Sequence, residues 1–119
     1  MIRKHTVSFK NAFEGVVWVV KTQHTFRTHL LLSALALLAS WYLKVSYAEF
    51  LTVTIIIMVG LSIEMVNTAI EEATDAIDKS WREDIKVAKD VAAGAMLVYS
   101  IGAFIIACVI FLPRILSLL

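Results

Sequence analysis

Glu64, Asn67, Glu71, Asp75 and Asp78 recur every three or four residues through a segment whose other side chains are mostly small or apolar. On a helix turning about 100° per residue they fall near 0°, −60°, −20°, +20° and −40°, a stripe about 80° wide, with Glu72 about 80° round and just off it. Carboxylates stacked in this way repel one another and are costly beside lipid. A divalent cation, a basic partner or a proton-transfer role would compensate, and a hard cation such as Mg²⁺ suits oxygen ligands of this kind. For Asp75 and Asp78 a helix end emerging into water explains the charges equally well. Glu64 and Asn67 still lie within the apolar run, where solvation is the weaker explanation.

A second constellation, Lys86-Val-Ala-Lys89-Asp90, places two cations and an acid on one helical face. Lys89 there could meet a phosphate while Asp90 binds metal or orients a partner. The plainer reading is that Lys89 snorkels and Asp90 is a favourable acid in the first turn of a helix. His5, His24 and His29 share no metal-like spacing and read as surface or interfacial residues. No glycine-rich phosphate loop, dinucleotide fingerprint or protein-kinase motif set is present, so a phosphate-handling site would have to be built from carboxylates, metal and scattered cations.

The elements that must carry these residues are membrane helices. The 119 residues are 60% hydrophobic and 18% charged, with a mean hydropathy of +0.81. Ordinary soluble domains run at roughly 45–50% and 25%, and a chain this short has too little interior to hide the excess. One cysteine excludes a disulfide scaffold, and a formal charge of +1 gives no basic surface for nucleic acid.

Val91–Pro113 runs 23 residues without a charge, enough to cross a bilayer core of about 30 Å. Thr28–Leu43 and Phe50–Ile63 offer only 16 and 14 such residues. Lys44 can snorkel, and a helix starting near Ser46 reaches the far side only at about residue 66, with Glu64 at the membrane edge or just inside it. The expectation is an all-α membrane protein of one domain, 1–119, with transmembrane helices over about 28–44, 46–77 and 86–112. An amphipathic helix over about 8–26 precedes them. There Phe9, Ala12, Phe13, Val16, Val17 and Val20 form one apolar stripe, which either lies in the headgroup plane or packs on the other helices. Nine of the eleven cations fall on the side of the N-terminus and of the loop before the last span, leaving only Lys44 and Arg114 opposite. That side, with the N-terminus, is expected to be cytoplasmic. The first 15 residues lack the apolar stretch of a cleavable signal, and Trp18, Trp41 and Trp81 fall near the expected interfaces.

Glu64-x-x-Asn67-Thr68-Ala69-Ile70-Glu71-x-x-x-Asp75 followed by Ala88-Lys89-Asp90-Val91-Ala92-Ala93-Gly94-Ala95 resembles the signature of the small bacterial diacylglycerol kinase and undecaprenol kinase family. Phe9-Lys-x-Ala-Phe-Glu-Gly15 and Phe26-Arg27-x-His29 are similar to its N-terminal portion, and Phe111-Leu112-Pro113-Arg114 to its undecaprenol kinase branch. The resemblance implies a homotrimer in the bacterial cell membrane, with three transmembrane helices and a surface helix per subunit and active sites between subunits at the cytoplasmic face. It implies transfer of the γ-phosphoryl group of MgATP to a membrane-lipid hydroxyl, undecaprenol by the branch resemblance and diacylglycerol as the alternative.

By position in the motif, the resemblance makes Glu64 the general base and Asn67 a polar contact beside it. Glu71 is a metal- and ATP-binding carboxylate, and Lys89 and Asp90 are the nucleotide-binding pair. Ser80, Trp81 and Arg82 lie where the family's loop touches ATP, and Lys4 and Asn11 where members contact nucleotide or lipid. Gln23 stands where the family normally carries a metal-binding glutamate. Its amide oxygen can ligate Mg²⁺ but adds no negative charge, so either a neutral ligand suffices beside Glu71 or Glu72 or Asp75 helps.

Two other functions meet obstacles in the residues. A channel or transporter needs polar groups along the whole crossing, whereas Phe50–Ile63 holds only Thr52, Thr54 and Ser62. A non-catalytic scaffold leaves the acidic stripe unexplained.

Overall fold

The computed structural model describes the backbone from Ile2 and the side chains from Ser8 to Leu119, and the described residues form four α-helices. These are α1 (Ile2–Thr22), α2 (His24–Tyr42), α3 (Tyr47–Ile77) and α4 (Glu83–Ser117).

The first two helices meet at a different place from the one the apolar pattern indicates. The amphipathic helix ends at Thr22, not near 26, and α2 begins at His24, not 28. Gln23 itself is extended, with φ −104° and ψ 108°. Two side chains stabilise the break. The Thr22 hydroxyl donates to the Trp18 carbonyl at 2.7 Å. The Arg27 guanidinium reaches back to the carbonyls of Val20 (3.0 Å) and Lys21 (2.9 Å), which the end of α1 would otherwise leave unpaired.

A four-residue connection, 43–46, turns the chain from α2 into α3. Lys44 adopts the left-handed conformation there (φ 54°), and the backbone N–H of Val45 returns to the carbonyl of Ser40. Ser46 then caps α3 with a reciprocal pair of bonds to Glu49, each 3.2 Å long.

The last helix begins at Glu83, where Glu83 and Asp84 suit the positive end of the helix dipole. It does not stop at 112 but continues through Pro113 to Ser117. Arg114 binds the Ile110 carbonyl at 3.1 Å and forks onto both carboxylate oxygens of Glu49 at 2.7 Å each, tying this last turn to the start of α3.

α1 packs on α2, α2 on α3 and α3 on α4, the last three running antiparallel in sequence. The His29–Glu64, Lys89–Asp75 and Arg114–Glu49 contacts fix that direction. α3 and α4 meet at Gly60, where the Tyr99 ring occupies the space a Cβ would need and its hydroxyl donates to the Ile56 carbonyl at 2.7 Å.

Burial is sparse. Val19, Phe26, Val53, Ile85, Ala92 and Ile110 are the buried apolar side chains among the described residues, while Leu97, Val98, Phe104 and many others face outward. Exposed apolar surface on this scale needs lipid or further protein against it. α3 and α4 are long and apolar enough to cross a membrane. At 31 and 35 residues they measure roughly 46 and 52 Å, well beyond a hydrocarbon core of about 30 Å. α2 carries His24, Arg27 and His29 in its first turns, which leaves only 30–42 apolar. Along α1, Phe9 and Phe13 are 85% and 69% exposed, so that half of the stripe is not packed on the other helices of its own chain, whereas Val17 and Val20, nearer α2, are half-buried.

Candidate active site

The acidic stripe runs down the C-terminal half of α3, and its burial falls from Glu64 to Glu71 and returns in part at Asp75 and Asp78. Glu64 is 5% exposed, Asn67 and Asp75 are half-buried, and Glu71 is exposed. Asn67 donates its amide N–H to Glu71 Oε1 at 3.3 Å, while its own Oδ1 is buried without a partner. Between Glu64 and Glu71 the stripe thus passes from a buried to an exposed position over a rise of roughly 10 Å.

His29 meets its buried end. Its Nδ1 lies 2.5 Å from Glu64 Oε2, an oxygen that has no hydrogen-bond partner. The reading of His29 as a surface or interfacial residue is thereby corrected. Its contact lies 35 residues away in sequence, on a helix whose register against α2 no local pattern reveals.

At the open end of the stripe, Lys89 of α4 reaches Asp75 at 2.8 Å and Lys86 reaches Asp90 at 2.6 Å. The expected shared face of Lys86, Lys89 and Asp90 is present, and it has the acidic stripe as a neighbour. In the loop 78–82, the Ser80 hydroxyl and backbone N–H both donate to Asp78 Oδ1, at 2.6 and 2.8 Å. The hydroxyl bond chiefly holds the Asp78 carboxyl below the usual carboxylate range. Arg82 grips Asp84 through two bonds of 3.1 and 2.7 Å, which raises its already high affinity for its proton.

Two grooves flank this arrangement. One, of about 320 Å³, is lined by Lys79, Ser80, Trp81, Arg82, Lys89 and Asp90 among others, so five of the sequence-predicted nucleotide contacts share one cation-rich concavity. The other, of about 250 Å³, lies among α2, α3 and α4, with His29 and Ser33 beside Val53, Ile57, Ala103 and Phe111.

The remaining candidates are less connected. Gln23 sits in the α1–α2 break and donates to Thr22 Oγ1 at 3.3 Å, with no bond to Glu71. Asn11 is exposed on α1, and the side chain of Lys4 lies outside the described residues. Among the described residues, no three His, Cys, Asp or Glu side chains converge on a point where a metal ion would be fully held.

Against known proteins, residues 10–111 match the model of the prokaryotic diacylglycerol kinase family. The chain belongs to that family. It is 33% identical over 107 residues to the undecaprenol kinase of Bacillus subtilis, an alignment covering 90% of this chain and 87% of that protein. It is also 33% identical over 114 residues to the diacylglycerol kinase of a Synechocystis species, covering 95% of this chain and 65%, just under two thirds, of that protein. Both names are those of lipid kinases, and this membrane-bound chain is one.

Sequence reasoning missed the two cross-helix contacts, His29 with Glu64 and Lys89 with Asp75. The similarity around Phe26-Arg27-x-His29 was the available signal for the first, and a cation one helix away from an excess of acids for the second.

Proposed function

We propose that this kinase transfers the γ-phosphoryl group of MgATP to the hydroxyl of undecaprenol at the cytoplasmic face of the cell membrane. The acceptor groove and the cation-rich groove lie on either side of a stripe whose buried carboxylate, Glu64, is the base of the reaction. The observation that carries the proposal is the burial gradient from Glu64 to Glu71, which offers a desolvated carboxylate to the lipid and a wet one to the nucleotide. Phosphoryl transfer is mostly positioning and charge neutralisation, and these residue types provide both.

In this proposal Lys89, Asp90, Ser80, Trp81 and Arg82 bind the nucleotide, and Asn67 steadies Glu71 beside it. Glu71, with the amide oxygen of Gln23, holds Mg²⁺. An exposed carboxylate bonded to one amide fits a cation that keeps waters and substrate phosphates in its shell and asks for only one or two protein carboxylates. The metal, when bound, neutralises charge on the phosphates. Lys4 and Asn11 of α1 face nucleotide or lipid.

The proposed assembly is a homotrimer in which α2, α3 and α4 all cross the membrane, with the N-terminus inside. The outward apolar side chains of α3 and α4, the exposed Phe9 and Phe13 of α1 and the incomplete metal site of the single chain support it. α2 has 19 residues, or roughly 28 Å, and crosses if His24 and Arg27 stay at the cytoplasmic headgroups.

The decisive experiment presents purified protein and labelled ATP with a panel of lipid alcohols. Undecaprenol is expected to be phosphorylated in preference to diacylglycerol. The reverse preference moves the substrate to diacylglycerol, and transfer to no lipid overturns the proposal.

The nucleotide assignment has its own consequence. Lys89→Ala and Asp90→Asn each remove a charge-assisted contact of about 1.5–3 kcal/mol, so the KM for MgATP should rise roughly ten- to a hundred-fold while that for lipid barely moves. Equal increases in both KM values would show that Lys89 and Asp90 serve only their partners Asp75 and Lys86.

A further inference from the structure

The groove among α2, α3 and α4 has two unlike ends. Its polar lining, His29, Ser33, Tyr99 and Ser100, gathers at one of them. That end adjoins Glu64, whose buried and unpartnered Oε2 is set against His29. The lining then turns apolar and closes at Ile110 and Phe111, about one turn short of the Arg114–Glu49 pair at the opposite end of the bundle. Along α4 the lined stretch from Tyr99 to Phe111 rises roughly 18 Å, more than half of a hydrocarbon core of about 30 Å. A polar end beside a buried carboxylate, followed by one long apolar body, has the outline of an alcohol with a single tail.

Small side chains set the width. Ala103 and Ala107 stand one helical turn apart on α4, and Ala36 belongs to the α2 wall. Both alanines of α4 are half-buried, whereas Val109 on the same helix is 69% exposed and turned outward. A tail already dissolved in lipid gains nothing from leaving water, so what separates one tail from another here is fit. Recesses spaced by a helical turn, roughly 6 Å, are filled by a chain with methyl branches at regular intervals. A straight acyl chain leaves them empty and forfeits those contacts.

We infer that this groove seats the acceptor's tail, a single isoprenoid chain with its hydroxyl at the Glu64 end, and that Ala103 and Ala107 determine which tails fit. The inference rests on the proposed phosphorylation of undecaprenol and names where that substrate is selected. It leaves Glu64 as the base and adds no chemical step. A helix from a second copy would fill the apolar stretch equally well, but gives no reason for a polar end placed at an unpartnered carboxylate.

The test is a series of prenyl alcohols, from a few isoprene units up to undecaprenol, assayed with saturating MgATP in detergent. For wild type, kcat/KM should rise with each unit until the tail matches the groove, roughly 18 Å, and then level off. Ala107→Phe should stop the rise sooner, with a loss of about ten-fold or more confined to the longer acceptors, and Ala103→Leu, nearer Glu64, sooner still. Val109→Phe, which places the same ring on the outer face, should follow wild type along the whole series. A straight-chain alcohol of matching length should be the poorer acceptor for wild type, and equal rates would overturn the isoprenoid assignment. A wild-type profile that ignores length overturns the inference, as does an unchanged profile in both alanine variants, which would place the tail elsewhere. Equal loss at every length in both, with a changed oligomeric state in gel filtration, would give the groove to a second copy and overturn it too. Wild type that phosphorylates diacylglycerol but no prenyl alcohol would instead remove the reading on which the inference stands. If Ala107→Phe does not fold, Ala107→Leu puts the same question with less bulk, and its profile is read in the same way.

Discussion

Glu64→Gln is expected to give a folded, lipid-binding protein whose kcat is down by about 10²–10⁴-fold. Glutamine has nearly the shape of glutamate, so the packing around a side chain only 5% exposed, with His29 Nδ1 against it, changes little. What disappears is the negative charge. In water that loss would matter little, but here few polar groups screen it, and the charge cannot be replaced by solvent. Steady-state kinetics with saturating lipid, with gel filtration and thermal melting as controls for folding, measure the effect. A kcat within a few-fold of wild type would exclude Glu64 as the source of basicity. The KM for MgATP should stay close to wild type, because the nucleotide-binding candidates Lys89 and Asp90 lie on another helix and are paired with other residues.

The largest expected effect on stability is at Gly60. A Cβ there would fall within the space of the Tyr99 ring, which is itself held by a bond from its hydroxyl to the Ile56 carbonyl. Either the ring leaves its position, breaking that bond, or α3 and α4 separate. Overpacking of this kind typically costs about 1–3 kcal/mol. Gly60→Ala should therefore lower the melting temperature measurably in detergent, and more than Gly94→Ala or Gly102→Ala, since nothing lies near a Cβ at those positions. A coupled test is sharper. Tyr99→Ala removes the obstacle, so Gly60→Ala on that background should add almost nothing, and strictly additive losses would show that the two side chains do not compete for the same space.

What could be read without the fold follows from the range of each interaction. The acidic stripe was legible because all its members sit on one helix and periodicity alone places them together. The beginning of α3 was legible too, for Ser46 and Glu49 form a local capping signature. The break at Gln23 was not, because Thr22 and Gln23 are ordinary helix residues and the stabilising groups, above all Arg27, come from the next helix. Pro113 read as an end to α4, yet the helix continues because Arg114 is anchored to Glu49, 65 residues earlier. His29 and Lys89 were harder still. Each was visible as a residue type, but its role depends on the register between helices, which the turns at 43–46 and 78–82 determine and no single-helix pattern contains.

The attachments between α3 and α4 are unevenly strong along their length. At one end Arg114 and Glu49, 30% and 26% exposed, form a forked pair, and Tyr99 over Gly60 makes a second fixed point. Beyond Gly60 the polar attachment is the Lys89–Asp75 pair, at 40% and 43% exposure, beside the buried side chains of Thr68, Thr74, Ile85 and Ala92. Exposed single pairs of that kind contribute about 1 kcal/mol at most. The polar ties between α3 and α4 are thus more shielded at the Arg114 end than at the Lys89 end, where dissolved ions screen the pair more strongly.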